Sequence, residues 1–110
     1  MISIDPATRI YHFAFPDEWL AAQSGTHYAP AAYAADGFIH LATQPQLAGV
    51  IERHLRGHGT RIRLMLDPQH FGDTLLWEWS NTSGDVYPHL TAPIPLAAVI
   101  EAFEFNPDAP

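Results

Sequence analysis

Between residues 60 and 105 the chain offers four short β-type segments, "TRIRLML", "TLLWEWS", "VYPHLT" and "VIEAFEF", separated by the turn-forming runs "DPQHFGD", "NTSGD" and "APIPLAAV". These connections are too short for the crossover that parallel neighbours need, so the late strands are expected to pair antiparallel. "TRIRLML" alternates Ile62, Leu64 and Leu66 with Arg61, Arg63 and Met65, which predicts a buried face and an exposed arginine face. "APIPLAAV" reads as a turn with one loose helical turn.

The first half of the chain supplies the helices. Residues 8–15 read as a first strand, and Pro16, Asp17 and Glu18 are helix-start signals, because acids in a first turn complement the helix dipole. "PDEWLAAQS" is therefore a short helix ending near Gly25, with Trp19 and Leu20 toward the core. Residues 26–35, with no clean period and a proline, read as a loop into the strand "GFIHLA". Thr43 then caps a helix whose apolar residues Leu47, Val50, Ile51 and Leu55 share one face until Gly57 and Gly59 stop it. The order predicts a compact α+β fold, a mostly antiparallel split sheet with two main helices. With 110 residues the expectation is one domain over 1–110, with a core over about 8–105 and a frayed tail at 106–110.

Charge and composition exclude several functions. Twelve acidic residues stand against five basic ones, all arginines, for a net charge of -7. Nucleic-acid binding relies on neutralising phosphates, so no nucleic-acid partner is expected. Arg53, Arg56, Arg61 and Arg63 form a local basic patch that reads first as solvated surface, but one or two of them suffice to hold a small anion. The absence of cysteine removes thiolate catalysis and fits a reducing compartment. No apolar run approaches the roughly 20 residues of a membrane span, and "MISIDPATRI" lacks the layout of a signal peptide. The expectation is a cytoplasmic protein without membrane contact, a monomer or homodimer, whose partner is a small-molecule ligand.

Seven histidines are many for this length. His54 and His58 lie four apart but straddle Gly57, and His27 and His70 fall in loops, so no metal site is expected. His12, His40 and His89 each sit in a strand. A buried imidazole needs partners for both nitrogens, so each can be structural, but three converging rings are equipment for acid–base work or for gripping a phosphate or ribose hydroxyl. Glu78, between Trp77 and Trp79, points opposite to both indoles and either faces solvent or orients a histidine. Tyr11, Tyr33 and Tyr87 can line the same cleft.

The segments "IYHFAFPDEWLAA", "DGFIHLATQPQ", "LLWEWS" and "DVYPHLTAPIPLAAV" together resemble the small bacterial domain-of-unknown-function family 952, with its "DGFIHLS", Trp-Glu and "PHLY-P-L" segments in this order. Here Ala42 and Thr43 replace Ser-Thr, and Thr91 replaces the tyrosine. That family's fold is thought to resemble the ADP-ribosyltransferases, and "DGFIHLATQPQLA" also looks like the "HVHLS" segment of RNA 2′-phosphotransferases. The resemblance implies an ADP-ribosyltransferase-like domain. His12 falls at the NAD-gripping histidine, His40 at the tyrosine that stacks on nicotinamide, and His89 at or beside the glutamate that activates the acceptor. The implied set is catalytic His40, His89 and Glu78 with ligand-binding Tyr11, His12, Thr43 and Tyr87. NAD is implied as substrate, with no covalently bound cofactor, in a transferase or NAD-glycohydrolase-like reaction. Two alternatives stay open: a histidine acid–base enzyme of isomerase, cyclase or dehydratase type without NAD, and a non-catalytic ligand- or protein-binding domain.

Overall fold

The computed structural model describes residues 9–109; residue 8 of the expected first strand and residue 110 of the expected tail lie outside them. Along the chain come β1 (Ile10–Ala14), α1 (Pro16–Ala22), β2 (His27–Tyr28), α2 (Ala31–Asp36), β3 (Ile39–His40), β4 (Ala42–Thr43), α3 (Leu47–Val50), β5 (Arg61–Leu66), β6 (Leu75–Ser80), β7 (Asp85–Leu90), β8 (Ile94–Pro95) and β9 (Val99–Phe105). The strands form a four-stranded sheet ordered β4-β1-β5-β9, a three-stranded sheet ordered β3-β7-β6, and the pair β2-β8. All pairings are antiparallel, as the short connections require. The result is an α+β arrangement of antiparallel sheets with few and short helices. One cluster of buried side chains joins the three sheets, with Ile10, Leu64 and Leu66 from the first, Ile39 and Leu90 from the second, and Tyr28 and Ile94 from the third.

Several features depart from the sequence reading. Residues 26–35 are not a loop: they hold β2 and most of α2, a helix that follows Pro30 and ends at Gly37, whose φ of 80° is the left-handed cap that glycine adopts without strain. The segment "GFIHLA" is not one strand. It breaks at Leu41, so that β3 pairs with β7 and β4 with β1, and Leu41 N–H donates to the Pro88 carbonyl (3.1 Å) between them.

In α1 Trp19 packs edge-on against Tyr28, but Leu20 is exposed. At about 100° per residue, Leu20 turns off the face that Trp19 and Ala22 share. The inner side of the helix also carries Glu18, whose Oε2 accepts the Ala31 N–H (2.7 Å) at the start of α2. Finally, the arginines of β5 are not a solvated face. Arg61 is buried, its guanidinium donating to the carbonyls of His58, Gly59 and Thr60 and lying 4.2 Å over Phe15. Arg63 lies over the rings of Phe103 (4.3 Å) and Tyr11 (5.2 Å). Aromatic residues of β9 and the flanking segments cover that side of the sheet, so the alternation of β5 separates two covered faces.

Thr43 does cap the next helix. It forms a capping box with Gln46, whose Oε1 accepts the Thr43 N–H at 3.0 Å. After α3 the backbone widens into a π-helical turn over Ile51–Leu55, closed by Arg56 N–H to the Ile51 carbonyl (3.0 Å), and ends before Gly57. Residues 106–109 are docked rather than frayed: Arg56 donates to the Pro107 carbonyl (3.1 Å), and the Gly57 N–H donates to Asp108 (3.1 Å). Among the described residues no helix is long and apolar enough to cross a membrane.

Candidate functional site

The pairing of β3 with β7 sets His40 directly opposite His89. Cross-strand neighbours on one face bring their side chains together, and the two imidazoles meet edge to face with centroids 5.5 Å apart. Phe38 stacks on His89 at 4.1 Å with its plane tilted 21°, and its ring also meets His40 at 4.7 Å. The pairing of β6 with β7 places Glu78 opposite Tyr87, diagonal to His89, and Glu78 Oε1 accepts from His89 Nδ1 at 2.9 Å. An ionised carboxylate only accepts, so Nδ1 carries a proton, and in the neutral imidazole Nε2 then keeps its lone pair. His40 Nε2 lies 3.5 Å from Asp36 Oδ2 at the end of α2. Partial burial, and next the like charge of His89, hold the His40 pKa below its usual value, with Asp36 opposing them. Two imidazoles in contact resist carrying two protons together, which is the repulsion that His89 exerts on His40.

Beneath this pair His12 is spent on architecture. Its Nδ1 meets the His40 carbonyl at 2.8 Å, where only an N–H can donate, so Nε2 accepts from the Tyr28 hydroxyl (2.9 Å). With both nitrogens used and the ring buried, desolvation lowers its pKa to about 4. Burial, and then the nearby Glu18 charge, push the Tyr28 hydroxyl up. His12 is therefore a neutral strut that fixes the His40 backbone rather than a free grip for a ligand.

A cavity of about 580 Å³ opens above these residues. His40, His89, His12, Tyr11 and Tyr87 line it. Glu78 stands behind His89 outside the lining. Thr43 is outside it too, occupied in the cap, and Tyr33 instead donates to the Thr91 carbonyl (3.2 Å). His27, His58 and His70 are exposed elsewhere. Sequence reasoning missed several contributors. Arg53 and His54 reach the cavity from the π-helical turn, three and four residues after Val50, a spacing that places them on its face and was the available signal. Trp79 is not in the core but exposed at the cavity, its Nε1 donating to Asn81 Oδ1 (2.8 Å). The lining holds one arginine and four histidines and no carboxylate, in a chain of net charge -7. Among the described residues no group of three or more His, Asp or Glu side chains is arranged to hold a metal ion.

Antiparallel sheets that carry a carboxylate-backed histidine pair at one cavity define a small α+β domain with a histidine-lined pocket. The chain belongs to a protein family of unknown function, DUF952, whose sequence profile matches residues 14–102. It is similar to the protein CC0527 of Caulobacter crescentus: the crystal structure is 31% identical with a TM-score of 0.80, covering 88% of this chain and 85% of that one. The solution structure of the same protein gives 30% identity and a TM-score of 0.75 over 89% and 84% of the two chains. No curated protein matches.

Proposed function

We propose that the protein is a small enzyme acting on a nucleotide-like or phosphorylated small molecule, with His89 as the proton-transfer group and His40 gripping the substrate beside it. The observation that carries this is the Glu78–His89–His40 arrangement on the wall of a cavity free of carboxylates. A hydroxyl or water that attacks the substrate gives its proton to His89 Nε2 as its oxygen forms the new bond. The positive charge that builds on the imidazole faces the Glu78 carboxylate, and the same nitrogen returns the proton to the departing group. The charge on His89 keeps the His40 ring neutral and able to accept a hydrogen bond. A cavity of this size suits a small metabolite or part of a nucleotide, with Trp79, Tyr87 and Tyr11 as stacking surfaces.

The finer reading is an ADP-ribosyltransferase-like cleft using NAD, and the division of the strands into separate antiparallel sheets around a cleft favours it. Two features move the chemistry away from ordinary ADP-ribosyl transfer. The nitrogens of His12 are already engaged, and the resemblance implies that His89 takes the place of the carboxylate that stabilises an oxocarbenium ion, a task a histidine does not reproduce. Cytoplasmic location fits a cysteine-free chain acting on such metabolites. The test is histidine-ring NMR during titration with NAD, ADP-ribose, nicotinamide and a panel of phosphorylated metabolites, followed by assay of whichever binds. Shifts at His40 and His89, with turnover lost in His40→Ala and His89→Ala while folding persists, are expected. Silent rings across the panel, or normal turnover in both variants, would overturn the proposal.

A further inference from the structure

We propose that Arg53 is the phosphate anchor of this cavity, so that the substrate carries a phosphoryl group at the end facing the π-helical turn. The inference deepens the reading above and rests on it for the reacting end only. Arg9, Arg56 and Arg63 are each paired with a carboxylate, Asp67, Glu52 and Glu101 respectively, and Arg61 is consumed by backbone carbonyls. Arg53 forms no ion pair among the described residues, yet it lines a cavity that has no carboxylate of its own. A guanidinium has five N–H donors, and Arg53 uses one nitrogen on the Tyr87 hydroxyl (2.6 Å), which leaves donors free for an anion.

The position of the side chain is built rather than incidental. The π-helical turn sets Arg53 and His54 side by side on the cavity, and such widened turns recur where a helix must aim functional groups. Gly49, one turn earlier, makes room: a Cβ there would lie 2.8 Å from one terminal nitrogen of Arg53. Tyr87 then holds the guanidinium from the strand side, two residues from His89. The hydroxyls of Thr82 and Ser83, from the turn between β6 and β7, border the same cavity and supply neutral donors. Asp85 lies on the far side of Arg53, in a smaller recess. Its oxygens are engaged by Gln46 (3.0 Å) and the Val86 N–H (2.7 Å), and it makes no ion pair with Arg53. A planar fork of donors beside hydroxyls, without opposing carboxylates, fits a phosphate monoester or diphosphate better than a neutral group.

The experiment titrates the full chain with inorganic phosphate and pyrophosphate, with acetate as the carboxylate arm, observing the arginine Nε–H signals and the fluorescence of Trp79. Phosphate should move the Arg53 signal. Arg53→Gln should bind roughly 10- to 100-fold more weakly, the loss of one charge-assisted contact, and Arg53→Lys should recover part of the binding. Gly49→Ala should weaken binding while leaving the fold at least as heat-resistant, because alanine is the better helix former and the clash falls on the flexible end of Arg53. Phosphate binding read at Arg53 does not depend on turnover, so failure of the proton-transfer reading and failure of the anchor are separable, and Thr43→Ala, outside the cavity, should bind phosphate as the wild type does. Unchanged phosphate affinity in Arg53→Gln, or tighter binding of acetate than of pyrophosphate, would overturn the assignment.

Discussion

Replacing His12 with asparagine tests whether the strut beneath His40 is neutral and buried as its two hydrogen bonds imply. The imidazole takes a proton at about 4 in the fold and at 6.5 in the open chain. Between those values the unfolded state binds more protons, so stability is full above pH 6.5 and falls as pH drops toward 4. At 1.36 kcal/mol per pH unit the whole effect approaches about 3 kcal/mol, of which roughly 2 kcal/mol is lost between pH 7 and pH 4.5. His40, with a lowered pKa, adds a slope of the same sign in both proteins. At pH 7 His12→Asn should cost about 1–3 kcal/mol, because the Tyr28 hydroxyl and the His40 carbonyl lose a well-placed partner. A domain of this size holds about 5–15 kcal/mol in total, so the variant still folds. Urea unfolding followed by tryptophan fluorescence at a series of pH values gives both curves. They should converge by roughly 2 kcal/mol as the pH falls. Curves that stay parallel would refute the argument, since they would mean that His12 titrates alike in both states.

Three further outcomes follow from the same geometry. Glu78→Gln keeps an acceptor for His89 Nδ1–H but removes the charge behind it, so turnover on a bound substrate should fall about tenfold with KM nearly unchanged, while His89→Ala should lose about 100-fold or more; equal losses in kinetic assays would argue against an orienting carboxylate. Thr43→Ala removes the side-chain half of the capping box and should cost about 1 kcal/mol in chemical denaturation without changing phosphate affinity. Gly37→Ala forces a side chain into the left-handed conformation that ends α2 and should cost about 1–2 kcal/mol, read as a lowered melting temperature.

The part of the site visible in sequence is the part set by strand alternation. His40, His89 and Glu78 lie in segments whose composition marks them as strands, and period-two placement puts Glu78 opposite the indole of Trp77, which packs on the core. That His40 faces His89 is a matter of register between residues 49 positions apart, which no local pattern encodes. Arg53 and His54 were hidden differently: an arginine beside other arginines on a helix end reads as solvent-facing, and only the neighbouring strand and the seat at Gly49 turn it inward. The helix over Ala31–Asp36 was legible in principle, with proline before it and glycine after it, but its run of alanines has no apolar stripe to announce a buried face. His12 looked like a ligand-gripping residue because its type and strand position are the same whether its nitrogens meet a ligand or Tyr28. Burial decides between these, and burial is a property of the assembled sheets.

The break at Leu41 limits how the chain can vary in length. One residue carries the backbone from one sheet to the next, with Ile39 buried on one side, Ala42 buried on the other, and the His40 carbonyl tied to His12. An inserted or deleted residue there would shift one strand by a full alternation, turning its buried side chains outward or moving Thr43 off its cap. Residues 23–25, between α1 and β2, are exposed and line no part of the cavity, so this connection has room for added residues. A single-residue insertion and deletion scan should therefore show near-zero tolerance across 39–43 and ready tolerance of insertions at 23–25.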